Sequence, residues 1–263
     1  YTQLIARRVR ELNVYCEILP FDTAFSNIIE REPAAIILSG GPASVTEADA
    51  PPLHPEVLKL GVPLLGICYG LQVLTRTLGG TVKPSTRREY GRAELAINNH
   101  GRLLEGIEGD QMVAWMSHGD HVAAPAPGFT VLARSHDGVI AAVENEADAI
   151  FGVQFHPEVV HTPEGTALLK NFVYTCAGIL GDWTPASFVG RAVKRIQDEV
   201  GDSRVICGLS GGVDSMVLAL ILKQISCMGS HSPFGEFKVV AMHVDYANRP
   251  ESQAEATFVE QWC

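Results

Sequence analysis

Val62-Pro63-Leu64-Leu65-Gly66-Ile67-Cys68-Tyr69-Gly70-Leu71-Gln72-Val73-Leu74 is the stretch on which the fold of the front of this chain turns. Its two apolar runs, divided by a small-residue turn, predict a buried strand over 62–67 and a helix over Leu71 to Leu78. Gly79-Gly80 stops that helix. Cys68 lies in the turn, with Gly66 and Gly70 two residues away on either side. The spacing has a chemical use. Glycines permit a strained turn, which projects the side chain between them from the C-terminal end of the strand. The N–H groups that follow open a helix and can face an oxyanion, and the same helix end favours a thiolate. The plainer alternative is a buried cysteine at a strand end.

A thiol nucleophile needs a base, and His156-Pro157-Glu158 supplies one with a partner. His156 follows the apolar run Ile150 to Phe155, so it also falls at the edge of a sheet. Glu158 is placed to hold the imidazole in one tautomer, the orienting role in a nucleophile–base–acid set. A third turn, Ser39-Gly40-Gly41-Pro42, follows the strand-like run Ala34 to Leu38. It offers backbone N–H groups to a tetrahedral intermediate, or is an ordinary β-turn.

Working outward, Val14 to Leu19 also reads as a strand, so strand-like and helix-like segments alternate, which predicts an α/β domain with a largely parallel sheet. From Ala93 onward the segments read as more β-rich, with Val139 to Val143 and Ile150 to Phe155 as neighbouring strands. Tyr1 to Leu12 reads as an amphipathic helix with Leu4, Ile5, Val9 and Leu12 on one face. The chain is therefore expected to begin inside a domain, with the first strand missing. Gly178-Ile179-Leu180-Gly181-Asp182-Trp183-Thr184 reads as a linker, and Thr184-Pro185 as the cap of a new helix. That helix places Phe188, Val189, Ala192, Val193 and Ile196 on one face and stops at Gly201. The expected organisation is 1–177, a linker over 178–184, and a second domain over 185–263 that is incomplete at Cys263.

Composition excludes several classes. Of 263 residues, 46% are hydrophobic and 19% charged, ordinary for a soluble globular protein. A formal net charge of −10 argues against a general nucleic-acid or membrane-surface binder. No apolar run reaches membrane length, and arginines interrupt the apolar residues at the start, unlike a signal peptide. Six cysteines without a C-x-x-C pair suit a reducing, cytoplasmic compartment better than a disulfide framework. His118 and His121, three apart, could meet on a helix, but with no further ligands nearby in sequence they do not read as a metal site.

The second domain carries its own signal. Ser210-Gly211-Gly212-Val213-Asp214-Ser215 follows the strand-like run Arg204 to Leu209 and precedes an apolar run, Met216 to Leu222. Two glycines let the backbone approach an anion, hydroxyls add donors, and a helix N-terminus supplies unpaired N–H groups. Asp214 would repel phosphate directly, but fits if Mg²⁺ sits between its carboxylate and the phosphates. The alternative is a glycine turn with no ligand.

In combination these motifs resemble the class I glutamine amidotransferases. The residues are Leu38-Ser39-Gly40-Gly41-Pro42, Gly66-Ile67-Cys68-Tyr69-Gly70-Leu71-Gln72 and Gln154-Phe155-His156-Pro157-Glu158. Trp115-Met116-Ser117-His118-Gly119-Asp120 and the run from His156 to Gly165 narrow the resemblance to the GMP synthetase branch. The Gly181-Asp182-Trp183-Thr184 linker and the Ser210–Ser215 loop resemble that branch's N-type ATP-pyrophosphatase half. The resemblance implies an α/β fold: a class I amidotransferase open sheet, then the start of an adenine-nucleotide α-hydrolase-like doubly wound parallel sheet. It implies that Cys68 attacks glutamine, with His156 as base and then acid and Glu158 orienting it. Gly40, Gly41 and the N–H groups from Tyr69 onward would form the oxyanion hole, and Gln72, Ser117, His118 and Asp120 would line or support the glutamine pocket. Ser210, Gly211, Gly212, Val213, Asp214 and Ser215, with Asp245, would hold ATP and Mg²⁺.

The implied reaction is AMP-forming. Glutamine-derived ammonia aminates XMP through an adenylyl intermediate, in a cytoplasmic enzyme that is a homodimer when full length. After Ser215 the sequence from Val239 to Ser252 is more similar to tRNA-lysidine-synthetase-type pyrophosphatases. That keeps open a different acceptor, an RNA base among them, or a fragment without catalysis.

Overall fold

The computed structural model describes residues 1–184 (backbone only over 85–89) and, beyond them, residues 190, 194, 195, 198, 207–209 and 241–243. Two compact units divide the chain, Tyr1–Thr184 and Pro185–Cys263.

The first unit opens with α1 (Thr2–Glu11), α2 (Phe25–Ile29) and β1 (Ile36–Leu38). A 3₁₀ turn over Pro55–Leu60 leads into β2 (Leu64–Ile67), α3 (Tyr69–Thr77) and then β3 (Thr81–Ile97) and β4 (Gln111–Ala124). Next come β5 (Thr130–Ser135), β6 (Ile140–Asn145), β7 (Ile150–Val153) and α4 (Gly165–Lys170), which widens into a π turn over Asn171–Cys176. The strands form one seven-stranded sheet in the order β1-β2-β7-β6-β5-β3-β4. β1, β2 and β7 run parallel to their neighbours in that trio, and the other four pair antiparallel. The sheet is thus mixed rather than largely parallel, because the chain from β3 to β7 returns through hairpins and short loops instead of helical crossovers.

Period-two alternation explains how the central strands take helices on both faces. Leu65 and Ile67 of β2 and Phe151 and Val153 of β7 join the cluster that also buries Ile5 and Val9 of α1 and Leu168, Leu169 and Phe172 behind α4. Leu64 and Ile150 point the other way, into a cluster with Leu74 of α3. Gly66 and Gly152 share that second face and stand opposite one another in register. A Cβ at Gly66 would lie 2.6 Å from the Leu71 nitrogen, and one at Gly152 would lie 2.4 Å from Leu71 Cδ1. The missing side chains let the start of α3 settle onto the sheet. A third contact is closer still: a Cβ at Gly70 would stand 2.1 Å from the Leu38 carbonyl oxygen.

The sheet curls, so that its last strand returns toward its centre. His156 N–H, just past β7, donates to the Trp115 carbonyl of β4 at 3.0 Å. The curl is what brings β4 to the C-terminal ends of β2 and β7.

Several expected elements differ. Val14 to Leu19 is not a strand: Val14 is buried, but Tyr15 and Ile18 are exposed. Its backbone groups pair with α1 rather than with a strand: Val14 N–H donates to the Val9 carbonyl at 3.3 Å, and the Arg10 guanidinium donates to the Cys16 carbonyl at 2.9 Å. The β-rich part begins at Thr81, not Ala93, since the Pro84 segment lies on a hairpin arm whose register shifts between Pro84 and Glu89. His118 and His121 lie on β4, where residues three apart face opposite sides. They cannot converge as a helical metal pair, and no cluster of three or more His, Cys, Asp or Glu residues suited to a metal occurs among the described residues.

In the second unit β8 (Cys207–Leu209) and β9 (Ala241–His243) pair in parallel, Leu209 opposite His243. β8 ends one residue before Ser210, and β9 ends two residues before Asp245. Ser210, Gly211, Gly212, Val213, Asp214, Ser215 and Asp245 themselves lie outside the described residues, as does most of the helix expected after Pro185.

Candidate active site

Cys68 ends β2 and caps α3 with φ 53° and ψ −107°. A non-glycine residue at positive φ costs of order 1 kcal/mol or more, and such strain persists only where the surroundings enforce it. Here Cys68 N–H is tied to the Val153 carbonyl at 2.8 Å, and Gln72 N–H closes the first helical turn on the Cys68 carbonyl at 3.1 Å. The N–H groups of Tyr69, Gly70 and Leu71 precede that first bond and so belong to the open end of the helix. The thiol lies 3.7 Å from the Ser117 carbonyl of β4. Cys68 is 5% exposed, so its reactions depend on what reaches it through this small opening.

His156 and Glu158 form the second half of the site. His156 Nδ1 lies 2.8 Å from Glu158 Oε1, with 3% and 0% of the two side chains exposed. With Nδ1 given to the carboxylate, Nε2 is left for the sulfur. Burial works against a charged imidazole here. The hydrogen bonds to Cys68 and Glu158 outweigh it, and His156 is pushed up to about 9. Both contacts favour the protonated imidazole. Glu158 is fixed from behind by Arg8 of α1, whose guanidinium donates to its backbone carbonyl at 3.1 Å. Thr162 clamps the loop: its hydroxyl donates to the His156 carbonyl at 2.7 Å and accepts from Trp115 N–H at 3.0 Å.

Gly40 lies against both reactive groups. A Cβ there would stand 3.0 Å from His156 Cε1 and 3.4 Å from Cys68 Cβ. Gly41 faces Tyr69, whose ring would be 3.8 Å from an added Cβ. The Tyr69 hydroxyl is turned away, donating to the Pro51 carbonyl at 2.6 Å. Gln72 is buried one turn into α3, and its amide donates to the Asp120 carbonyl at 2.8 Å. The Asp120 carboxylate accepts from the Ser44 hydroxyl. His118 is buried on β4, beside Ser117. The curl thus brings the Ser117 carbonyl, Gly40 and His156 to Cys68 and ties Gln72 to Asp120, whereas His118 faces the side of β4 opposite Ser117.

The sequence reading gave no role to Gln154, Ser44, Thr162 or Tyr1, which the structure places at the same site. Gln154 is fully buried, and its amide points at the Cys68 sulfur at 3.7 Å. Its signal was available: a glutamine closing an apolar run is a polar group that must find a partner. The Tyr1 ring lies 4.7 Å from the His156 ring, a contact between distant segments that no local pattern announces.

A strained cysteine between a β-strand and a helix, with a carboxylate-held histidine just past the adjacent parallel strand of a mixed sheet, defines a glutamine amidotransferase type of centre. The chain belongs to the class-I glutamine amidotransferases, whose family profile matches residues 1–176. A PP-loop domain profile matches residues 185–263. Among curated relatives, a glutamine-hydrolyzing GMP synthase of Carboxydothermus hydrogenoformans is 45% identical over 265 residues, covering 100% of this chain and 50% of that protein. The GMP synthase of Bartonella quintana is 46% identical over 256 residues, covering 97% of this chain and 48% of its own length. The chain spans about half the length of the curated relatives it matches. Among solved structures, a GMP synthase component from Thermoplasma acidophilum superposes with a TM-score of 0.60 at 26% identity, covering 74% of this chain and 92% of that one. A Thermotoga maritima glutamine amidotransferase shares the fold, with a TM-score of 0.55 at 19% identity over 66% of this chain and 91% of its own.

Proposed function

We propose that the first unit is a glutaminase and the second unit the ATP-using half of a GMP synthase. Under this reading the Cys68 thiolate attacks the side-chain amide carbon of glutamine. The C–S bond forms, and the resulting oxyanion faces the N–H groups of Gly40, Gly41 and Tyr69. His156, held charged by Glu158, donates its proton to the departing nitrogen, so the C–N bond breaks and ammonia leaves a glutamyl thioester. The imidazole, now neutral, takes a proton from water as that water attacks. The C–S bond breaks, and glutamate, thiolate and imidazolium are restored. Gln72, Ser117, His118 and Asp120 line or support the glutamine pocket.

The observation that carries this reading is the strained Cys68 elbow with His156 in hydrogen-bond reach and Glu158 2.8 Å behind it. Release of glutamate from glutamine by the full-length protein tests it, with trapping of a thioester at Cys68. Hydrolysis that persists in Cys68→Ser would overturn it.

For the second unit, the PP-loop match and the names of the relatives support ATP-driven amination of XMP to GMP, with AMP and pyrophosphate released. Ser210 to Ser215, with Asp245, supply the pyrophosphate cradle in this proposal. In this proposal the Asp214 carboxylate would hold Mg²⁺ between itself and the phosphates. A linker over 178–184 between the two halves is part of this reading; the contact-defined divide falls at its end, after Thr184. A cytoplasmic homodimer completes the proposal. Among the described residues no helix is long and apolar enough to cross a membrane. The Carboxydothermus alignment runs through the segment after Ser215, which favours XMP over a tRNA base as acceptor. XMP-dependent pyrophosphate release is expected, and tRNA-stimulated release in its place would reverse that choice.

A further inference from the structure

The three-residue relay Asp120–Gln72–Gln154 ends on the reacting sulfur, and its chemistry fixes which way each amide points. The Asp120 backbone carbonyl can only accept, so the Gln72 atom 2.8 Å from it is the NH₂ group. The same NH₂ group lies 3.3 Å from Gln154, so the Gln154 atom facing it is the carbonyl oxygen. The remaining end of the Gln154 amide, 3.7 Å from Cys68 Sγ, is therefore an N–H donor. All three side chains are buried: Gln72 is 3% exposed, Asp120 8% and Gln154 0%. Water does not compete for these bonds, and the relay cannot flip without leaving a donor facing a donor at Gln72.

We infer that Gln154 is a catalytic donor to the Cys68 sulfur, stabilising the thiolate and aiming it at the substrate carbon. The inference rests on the glutaminase reading given above. An N–H donor favours the charged sulfur over the neutral thiol, because the thiolate is the stronger acceptor. A second fixed donor also limits rotation of the sulfur about its Cα–Cβ bond, which matters for a nucleophile that must meet a carbonyl at one angle. The other titratable groups around the sulfur are His156 and Glu158 from the loop after β7 and Tyr69 beside it in α3. On β4, His118 and Asp120 follow the Ser117 carbonyl.

The test measures alkylation of Cys68 by iodoacetamide against pH in the full-length protein and in Gln154→Met, which keeps the volume and removes the donor. The acidic limb of the profile is expected to move up by about one pH unit, with a rate at the alkaline plateau equal to or above that of the parent, since a less stabilised thiolate is intrinsically more nucleophilic. Glutamine turnover should fall about tenfold in kcat with little change in KM, with the melting temperature used to confirm folding. A purely structural role would lower the melting temperature and leave the limb in place, and that outcome in a folded variant overturns the inference. If Gln154→Met does not fold, the unsubstituted protein still decides: the Gln154 side-chain amide resonance should shift as Cys68 titrates, and a resonance that ignores Cys68 overturns it. Glutamine hydrolysis that survives Cys68→Ser sinks the glutaminase reading itself, whereas an unmoved limb with Cys68-dependent hydrolysis removes only the role of Gln154.

Discussion

Gly66 of β2 stands opposite Gly152 of β7, and Leu71 of α3 lies across both. The pair acts as a seat for the helix that carries the reactive cysteine. The two glycines differ in what a methyl group would meet. At Gly66 the obstacles are the Leu71 nitrogen and the Gly70 carbonyl, which are backbone and cannot turn aside. At Gly152 the nearest obstacle is the far end of the Leu71 side chain. Gly66→Ala should destabilise the protein by about 3 kcal/mol and Gly152→Ala by about 1 kcal/mol, as overpacking does. Urea denaturation of both variants checks the order, and equal losses would contradict this account of the seat.

The charge on His156 ties stability to pH. Its folded value of about 9 lies above the unfolded value near 6.5, so the folded state binds the proton more tightly. The stabilisation is fully present below about pH 6.5 and is lost as pH rises through about 9. Unfolding free energy should therefore decline between those limits, and His156→Gln should flatten the decline. Chemical denaturation at four or five pH values is sufficient to see it.

Glu158→Gln should remove the charge that, together with the hydrogen bond to Cys68, favours a protonated His156. Its carboxylate is fully buried and 2.8 Å from the ring. His156 then falls from about 9 toward its ordinary value, and the alkaline limb of glutamine hydrolysis moves to lower pH. The rate itself should drop by about 10²-fold or more, because the imidazole also loses its fixed tautomer. A pH–rate profile of the variant distinguishes the two effects.

Cys68→Ala should abolish glutamine-driven synthesis by the full-length protein and spare synthesis driven by added ammonia. Loss of both in equal measure would contradict a scheme with two separate sites.

Thiol reagents should discriminate sharply between cysteines of the first unit. Burial pushes Cys176 up to about 12, so its thiolate is scarce at any physiological pH. Cys68, at the open end of α3 and beside a charged histidine, should be alkylated first. Peptide mapping after brief iodoacetamide treatment is the check, and labelling of Cys176 ahead of Cys68 would count against the electrostatic picture.

The strand–turn–helix around Cys68 could be read from local sequence because its cause is local: apolar runs, glycine spacing and a helix start lie within about a dozen residues. The His156-Pro157-Glu158 pair was legible for the same reason, since a histidine and a carboxylate two residues apart can meet across one turn. Val14 to Leu19 misled because alternation describes a strand's faces but not its partners, and here no ladder forms. The mixed sheet was missed because the direction of β3 to β6 depends on how hairpins close. His118 and His121 were read on a helical period, whereas the strand sets them on opposite faces.

The amino-acid sequence by itself determined the chemistry on offer: a thiol on a glycine elbow, a carboxylate-backed imidazole, and a phosphate-type loop in the second half. Each is written in residues close together along the chain, where bond geometry and hydrogen-bond reach already constrain the outcome. Only the tertiary structure decided that the thiol and the imidazole meet. The curl of the sheet carries Ser117 to within 3.7 Å of Cys68, and the relay through Gln72 turns the Gln154 donor onto the sulfur. Those contacts join residues 49 to 86 positions apart. No local preference encodes them; they follow from burying both faces of one twisted sheet and from the cost of leaving a polar group sealed inside without a partner.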